Sequence, residues 1–244
     1  MAIYRIAELN IKINPKSDYL EKLLSDYLIK SDIYDFEVNI NESEIQHEAE
    51  IAQTQAQEQS NQYISEAMCE SVAVFRKICK EILLNYNGFM LHSAAIRYNG
   101  KAYLFTAPSG TGKTTHIKLW KKYLKDKVQI INGDKPLLRY LNREINVYGT
   151  PWQGKENYGS NIKAPLGGIF LLERSIKNSV KKTPTKNIIP FLLTQTLRYQ
   201  SQEQIENLFS IIEKIVINIP VYTLKCNMNI SAVKTAMSVI ENSH

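Results

Sequence analysis

Between residues 89 and 124 the chain has few ways to fold. Leu91–Arg97 and Lys101–Thr106 are β-type runs separated by Tyr98-Asn99-Gly100, and Asn-Gly between such runs predicts a tight antiparallel hairpin. The second run feeds Ala107-Pro108-Ser109-Gly110-Thr111-Gly112-Lys113-Thr114-Thr115, after which Ile117, Trp120 and Leu124 recur at helical spacing. Strand, glycine-bearing loop and helix in that order are the setting of a phosphate-binding loop of the Walker A type, with Ala107 where Gly is commoner. Gly110 and Gly112 let the backbone curl until successive N–H groups converge on an anion, and the helix adds its positive end. Ser109, Gly110, Thr111, Gly112, Lys113, Thr114 and Thr115 are therefore the expected nucleotide-binding residues. Lys113 is expected on the β- and γ-phosphates and the Thr114 hydroxyl on Mg²⁺. A parallel nucleotide-binding sheet normally inserts a crossover before its loop strand, so the hairpin predicts a mixed sheet instead.

Composition narrows the setting. The chain has 244 residues and is 44% hydrophobic, enough for one large α/β domain or a domain with an appendage. The start of the chain shows no basic-then-apolar leader pattern, and charged or amide residues interrupt every apolar segment, so neither a signal peptide nor a membrane span is expected. Cys69, Cys79 and Cys226 are odd in number and unpaired in spacing, which suits reduced, buried thiols and a cytoplasmic protein. The net charge of +6 is uneven: residues 1–90 carry 8 basic and 15 acidic side chains, residues 91–244 carry 22 and 9. A run such as Lys118–Lys127 attracts anions, but it also reads as a solvated helix face, and no nucleic-acid-binding motif accompanies it. No nucleic-acid partner and no membrane partner are expected.

Along the chain, Ile3–Ile13 reads as a strand, Asp18–Ile29 as an amphipathic helix, Tyr34–Ile40 as a strand and Asn41–Gln62 as a loop or exposed helix. Tyr63–Tyr86 predicts a helix stopped by Asn87-Gly88. After the loop helix come a strand at Val128–Ile131, a hairpin of Leu137–Leu141 and Ile145–Tyr148 turned at Asn142-Arg143, and an apolar strand at Gly168–Glu173. Helices follow at Asn187–Tyr199, with Pro190 expected in a first turn, and at Gln202–Val216; Val221–Lys225 and Ile230–Glu241 close the chain as strand and helix. The domain reading is an acidic α+β part over 1–88, possible as an integral part of the core, and a P-loop core over 89–244.

Four further positions carry candidate chemistry. Asp134 ends the strand after the loop helix, on the edge where the loop opens; its carboxylate can hold Mg²⁺ or take a proton from an attacking hydroxyl, although Asn132-Gly133-Asp134 is also a good turn. His92 opens the strand paired with the loop strand, near the phosphates or as a structural residue. His116 reads as packing within the loop helix, and His47 and His244 carry no signal. Gly149–Glu156 follows a strand and combines a turn, Trp152, a flexible Gly154 and the pair Lys155 and Glu156. It reads either as a loop closing over substrate, with Lys155 reaching the phosphoryl group, or as a surface loop with Trp152 plugged into the core.

Leu91-His92-Ser93-Ala94, the glycine loop and Asn132-Gly133-Asp134, taken together over residues 89–175, resemble the catalytic core of HPr kinase/phosphorylase, which shares its fold with the phosphoenolpyruvate carboxykinases. Ala107–Trp120, Asn132–Arg139 and Tyr148–Lys155 are similar to small bacterial HPr-kinase-like proteins, some associated with peptide natural-product clusters and acting as peptide or serine kinases. The resemblance implies an α/β fold with a mixed β-sheet P-loop core, flanking helices and an α+β N-terminal part. It implies Lys113 and Thr114 as phosphate and Mg²⁺ ligands, Asp134 as the second acid of an acidic pair, and His92 as the active-site histidine. Gly133 departs from it, standing where the first acid, the proposed general base, would be. The family's N-terminal domain is not recognisable in residues 1–88, and its C-terminal glycine-rich signature is at best replaced by Gly149–Glu156, which makes HPr itself a poor substrate. HPr kinases form hexamers, which implies a homo-oligomer.

The expected activity is an ATP- and Mg²⁺-dependent kinase, with GTP left open beside ATP, moving the γ-phosphoryl group to a hydroxyl of a peptide, a protein serine or a small metabolite. Asp134, His92, Lys113 and Lys155 are its expected catalytic residues. The alternatives are a nucleotide sensor or ATPase without transfer, motivated by Gly133, and a small-molecule kinase of the shikimate-kinase type.

Overall fold

The computed structural model describes residues 2–59 and 65–241, so His244 lies outside the described residues. Contacts divide the chain into two compact units, residues 1–81 and 82–244.

In the first unit β1 (Ala2–Ile6) and β2 (Leu9–Ile13) form a hairpin, where the sequence predicts one strand. Ala7 and Glu8 make the turn at φ 52° and 63°, a left-handed pair that neither residue type favours. The helix expected to run to Ile29 stops earlier: α1 (Asp18–Leu24), capped by the Ser17 hydroxyl, gives way to a 3₁₀ turn and then β3 (Leu28–Ile29). With β4 (Phe36–Val38) the sheet order is β3-β1-β2-β4, and Ile6, Ile11, Ile13, Leu20 and Leu24 are all buried. The Glu- and Gln-rich stretch is helical as α2 (Glu42–Gln59), with Glu48 paired to Arg76 of α3 (Glu66–Asn85).

The second unit is a mixed α/β structure. The expected strand Leu91–Arg97 forms as β6 (Ser93–Tyr98), starting two residues later because the Leu91 and His92 amides donate to Pro136 O and Gln195 O; a separate short strand, β5 (Gly88–Met90), precedes it. Strand β7 (Lys101–Thr106) pairs antiparallel with β6 around Asn99-Gly100 and leads into the glycine loop and α4 (Lys113–Leu124). Then come β8 (Val128–Asn132), the hairpin β9 (Leu137–Leu141) and β10 (Glu144–Tyr148), and β11 (Lys163–Arg174). The last stretch holds β12 (Ser179–Lys182), α5 (Thr185–Thr194), α6 (Gln202–Asn218), β13 (Val221–Cys226) and α7 (Ile230–Glu241). Strand β12 has no forecast in the sequence; it is a short, solvated strand added antiparallel to β13. Pro190 is not in a first turn but inside α5, whose start is set two residues earlier than the apolar spacing suggests.

The sheet order is β5-β9-β10-β11-β7-β6-β8, with β13 added to β11. Both faces are buried. Ala102 and Leu104 of β7 join Ile212 and Leu192 of α6 and α5 on one side, while Tyr103 and Phe105 join Trp120 and Val233 of α4 and α7 on the other.

Strand directions place the site. β6 runs antiparallel to both β7 and β8, so β7 and β8 run the same way; β11 is parallel to β7 and β13 is parallel to β11. The carboxyl ends of β7, β8, β11 and β13 and the amino end of β6 therefore share one edge of the sheet. That is where open α/β sheets hold their ligands.

Candidate functional site

The glycine loop leaves β7 at this edge. Gly110 and Gly112 stand at φ 76° and 118°, conformations open to Gly and strained for other residues, and a side chain at either would meet nothing within 4 Å. Gly112 caps α4 without any side-chain hydrogen bond, and no acid stands in the first turn of that helix. The first-turn N–H groups and the helix dipole thus present an uncompensated positive end. Lys113 is only 7% exposed and donates to Ala107 O at 2.9 Å. Burial pulls its pKa down, and the charge of Asp134 opposes that shift.

Beside the loop, His92 and Asp134 meet: Nε2 lies 3.1 Å from Oδ1. His92 is held at its main chain too, its N–H on Gln195 O at 2.7 Å and its C=O accepting from the Thr106 hydroxyl at 2.9 Å. Lys135 Nζ stands 3.4 Å from the other Asp134 oxygen. Burial pushes the Asp134 carboxyl up, but the His92 hydrogen bond and the Lys135 charge together outweigh it and hold the group below the usual carboxylate range.

A buried polar pin, unread in the sequence, fixes this acid. The Asn132 Oδ1 accepts from the amides of Asp134 and Lys135, both at 2.8 Å, while its Nδ2 donates to the Thr150 hydroxyl at 2.9 Å. Thr150 is fully buried and donates in turn to Lys135 O at 2.8 Å. The turn bearing Asp134 is so bound to the stretch that follows β10. Nothing in composition marks these two residues, whose partnership spans 18 positions.

The same stretch closes over Gly133. A Cβ there would lie 2.9 Å from Gln153 O and 3.0 Å from Tyr158 O, and one on Gly154 would lie 3.0 Å from the Asp134 Cβ. Trp152 is buried, Lys155 stands in an exposed turn, and Glu156 pairs with Lys118 of α4 at 2.6 Å. Loop and acid are therefore brought together, with Trp152 as the anchor and Lys155 at the solvent side.

On the other side of the glycine loop, Arg174 at the end of β11 donates to Gly110 O and, at 3.2 Å, to Thr111 O. Sequence reading missed Arg174, since its partners lie more than 60 positions away. His116 is 2% exposed, against the Phe105 ring at 4.5 Å between centroids, and its Nε2 accepts from the Trp120 indole at 3.0 Å. Burial lowers its pKa to about 3, so the ring is neutral, as its packing position in the helix predicts. His47 is exposed on α2.

Among the described residues no group of three or more His, Cys, Asp or Glu side chains is arranged to hold a metal ion. No helix among them is long and apolar enough to cross a membrane. Cys69 and Cys79 are buried, and all three cysteines are free thiols.

No protein-family model matches the chain, and no curated protein does. Among solved structures it is similar to the HPr(Ser) kinase/phosphatase from Coxiella burnetii, at 11% identity and a TM-score of 0.35, over 63% of this chain and 93% of that one. A likeness this distant carries no argument about the site, whose chemistry stands on the residues and distances above.

Proposed function

We propose that the protein is a nucleotide-dependent phosphotransferase that uses ATP or GTP with Mg²⁺ and phosphorylates a hydroxyl of a peptide, a protein serine or a small metabolite. The observation that carries this reading is one sheet edge holding both halves of such a site: an uncapped helix start behind Gly110 and Gly112 with a buried Lys113, and beside it the hydrogen-bonded pair His92 and Asp134.

The residues fit the divalent ion of such chemistry. Mg²⁺ keeps several waters and needs only one or two protein oxygens beside the phosphates, so the Thr114 hydroxyl and the Asp134 carboxylate suffice without a protein cage. When bound, it neutralises charge on the phosphate oxygens. The chain's own groups do the rest. Backbone N–H groups of residues 109–115 cradle the phosphates, and Lys113 moves from Ala107 O to the phosphate oxygens, its partly desolvated charge worth more there than in water. The Asp134 carboxylate, kept ionised by His92 and Lys135, accepts the proton of the attacking hydroxyl. A new P–O bond forms on the acceptor oxygen as the bond between the γ-phosphorus and its bridging oxygen breaks, and the nucleoside diphosphate leaves. Lys155, exposed in the turn that contains Gly154, is assigned to the acceptor or the transferring group.

Gly133 favours a second reading, a nucleotide-dependent switch without transfer. An acid has no room at that position, so Asp134 must serve alone.

One experiment separates the two. Incubating protein, ATP and Mg²⁺ with desalted peptide and metabolite extracts, followed by mass spectrometry, should reveal species heavier by one phosphoryl group that are absent with Lys113→Ala. ATP binding without any such species would establish the switch instead; transfer that survives Lys113→Ala would sink both.

A further inference from the structure

The glycine loop has two flanks, and one of them carries the pair His92 and Asp134. The other is a cavity of about 760 Å³ that begins at Gly110, Gly112 and Thr115 and runs outward between the ends of β11 and β13. Its volume lies within the range of small-ligand sites. We propose that this cavity holds the nucleoside of the bound nucleotide, with the base between Ile176 and Met228. The proposal rests on the phosphate reading of the loop and assigns the direction in which the nucleotide extends from it.

Three observations carry it. Ile176 and Met228 line the cavity and are 93% and 77% exposed, the first and fourth most exposed large apolar side chains among the described residues. Two such side chains facing one recess next to an anion-binding loop suit a flat, apolar-faced group joined to an anion. Leu119 and Leu172 continue the apolar lining inward.

The rims are also built to stay in place. Asn227 Nδ2 donates to Ile176 O at 3.1 Å, the Asn227 amide donates to Asn178 Oδ1 at 2.8 Å, and the Ser175 amide donates to Cys226 O at 3.0 Å. Arg174 ties the same rim to the loop through Gly110 and Thr111. The recess is thus fixed in register with the phosphate cradle before any ligand arrives, which lowers the ordering cost of binding.

The third observation is an unmet donor. An indole N–H can only donate, so the His116 Nε2 that accepts from Trp120 carries a lone pair and the ring proton sits on Nδ1. That Nδ1 is buried and has no partner among the described residues, and His116 lines the cavity. A buried donor left unmet is costly, and an oxygen or nitrogen of a ligand seated here would satisfy it.

Calorimetric titration of the whole chain with Mg-ATP and with Mg-tripolyphosphate tests the assignment. Tripolyphosphate engages the loop alone, so ATP should bind about tenfold tighter or better, the gain coming from apolar area removed from water. The double variant Ile176→Ser, Met228→Ser changes exposed side chains only and should lose that advantage while keeping the tripolyphosphate affinity. In ¹⁵N-edited spectra the His116 Nδ1–H resonance should shift with ATP and not with tripolyphosphate. If ATP binds no tighter than tripolyphosphate, or the double variant keeps the full difference, or the resonance stays put, the nucleoside lies elsewhere and the loop assignment stands. If neither compound binds the unaltered protein, the phosphate reading of the loop falls and the nucleoside pocket with it.

Discussion

The two loops that meet at the candidate site both depend on glycine, for opposite reasons. In the 107–115 loop, Gly110 and Gly112 occupy left-handed backbone with open space where a side chain would be. In the turn 132–135 and the stretch 149–160, Gly133 and Gly149 have ordinary backbone but no space: a Cβ on Gly149 would lie 1.9 Å from Ser160 O. The first loop is shaped by conformation, with open space beside its glycines; the second is shaped by packing and filled by its own chain. The difference teaches that the glycine loop takes its shape from its own backbone, with Arg174 holding Gly110 O and Thr111 O from outside, whereas the position of Asp134 is only as good as the packing of the stretch that covers Gly133.

The largest effect that tests this contrast is expected from Lys113→Ala. With the cation gone, nucleotide-dependent phosphotransfer should fall by about a thousandfold or more, with the far-UV circular dichroism and melting curve close to those of the unaltered protein. A variant that loses its fold instead would mean that Lys113 is needed for packing and that the glycine loop does not take its shape from its own backbone.

On the packed side the expectation reverses, with stability lost first. Gly149→Ala should destabilise the second unit by about 3 kcal/mol or more, because backbone must move to admit a methyl group. Gly133→Asp should cost roughly 1–3 kcal/mol and lower phosphotransfer, since the new side chain displaces Gln153 and Tyr158 and loosens Asp134. Chemical denaturation of each variant checks both values. A Gly133→Asp protein that is stable and faster would show that the cover over Gly133 yields easily and that a second acid was the missing part.

How much of this was legible beforehand follows the same division. The glycine loop was readable because its requirements are local: two glycines, a lysine and a threonine between a strand and a helix specify it within nine residues. The hairpins at Asn99-Gly100 and Asn142-Arg143 were readable because at least one residue of each turn accepts φ near 50° without strain. The turn at Ala7-Glu8 was not, since neither side chain announces a left-handed backbone and tertiary pairing alone imposes it. Asp134 and His92 could be named from strand order, but their 3.1 Å approach, the Asn132–Thr150 pin and the Arg174 clamp join residues distant in sequence and follow only from sheet topology. Strand β12 was hidden because a solvated edge strand needs no alternation of apolar residues.

A smaller effect is expected from Gly112→Ala, which separates conformation from packing within one experiment. The added methyl group meets nothing, so the cost is the left-handed strain at φ 118°, about 1–2 kcal/mol. ATP affinity should fall by about tenfold as the cradle relaxes, a larger loss in function than in melting temperature. Equal losses in both would erase the distinction between the two loops.

The smallest effect concerns the charge of Asp134. Its folded-state pKa lies below the ordinary value, so the ionised group contributes stability above the unfolded-state pKa of about 3.9, and that contribution disappears as the pH falls through the lower folded value. Asp134→Asn has no such term. The unaltered protein should therefore exceed the variant in stability near neutral pH, by on the order of 1 kcal/mol or less because the side chain is 23% exposed, and the two should converge on acidification below the usual carboxylate range. Denaturant titrations of both proteins from pH 7 down to pH 3 measure this. A gap that stays constant with pH would mean that the asparagine disturbs the packing beneath the Asn132–Thr150 pin, and that the acid side is governed by fit alone. A gap that closes would show that His92 and Lys135 hold Asp134 by charge as well, which is the property a proton acceptor beside the glycine loop requires.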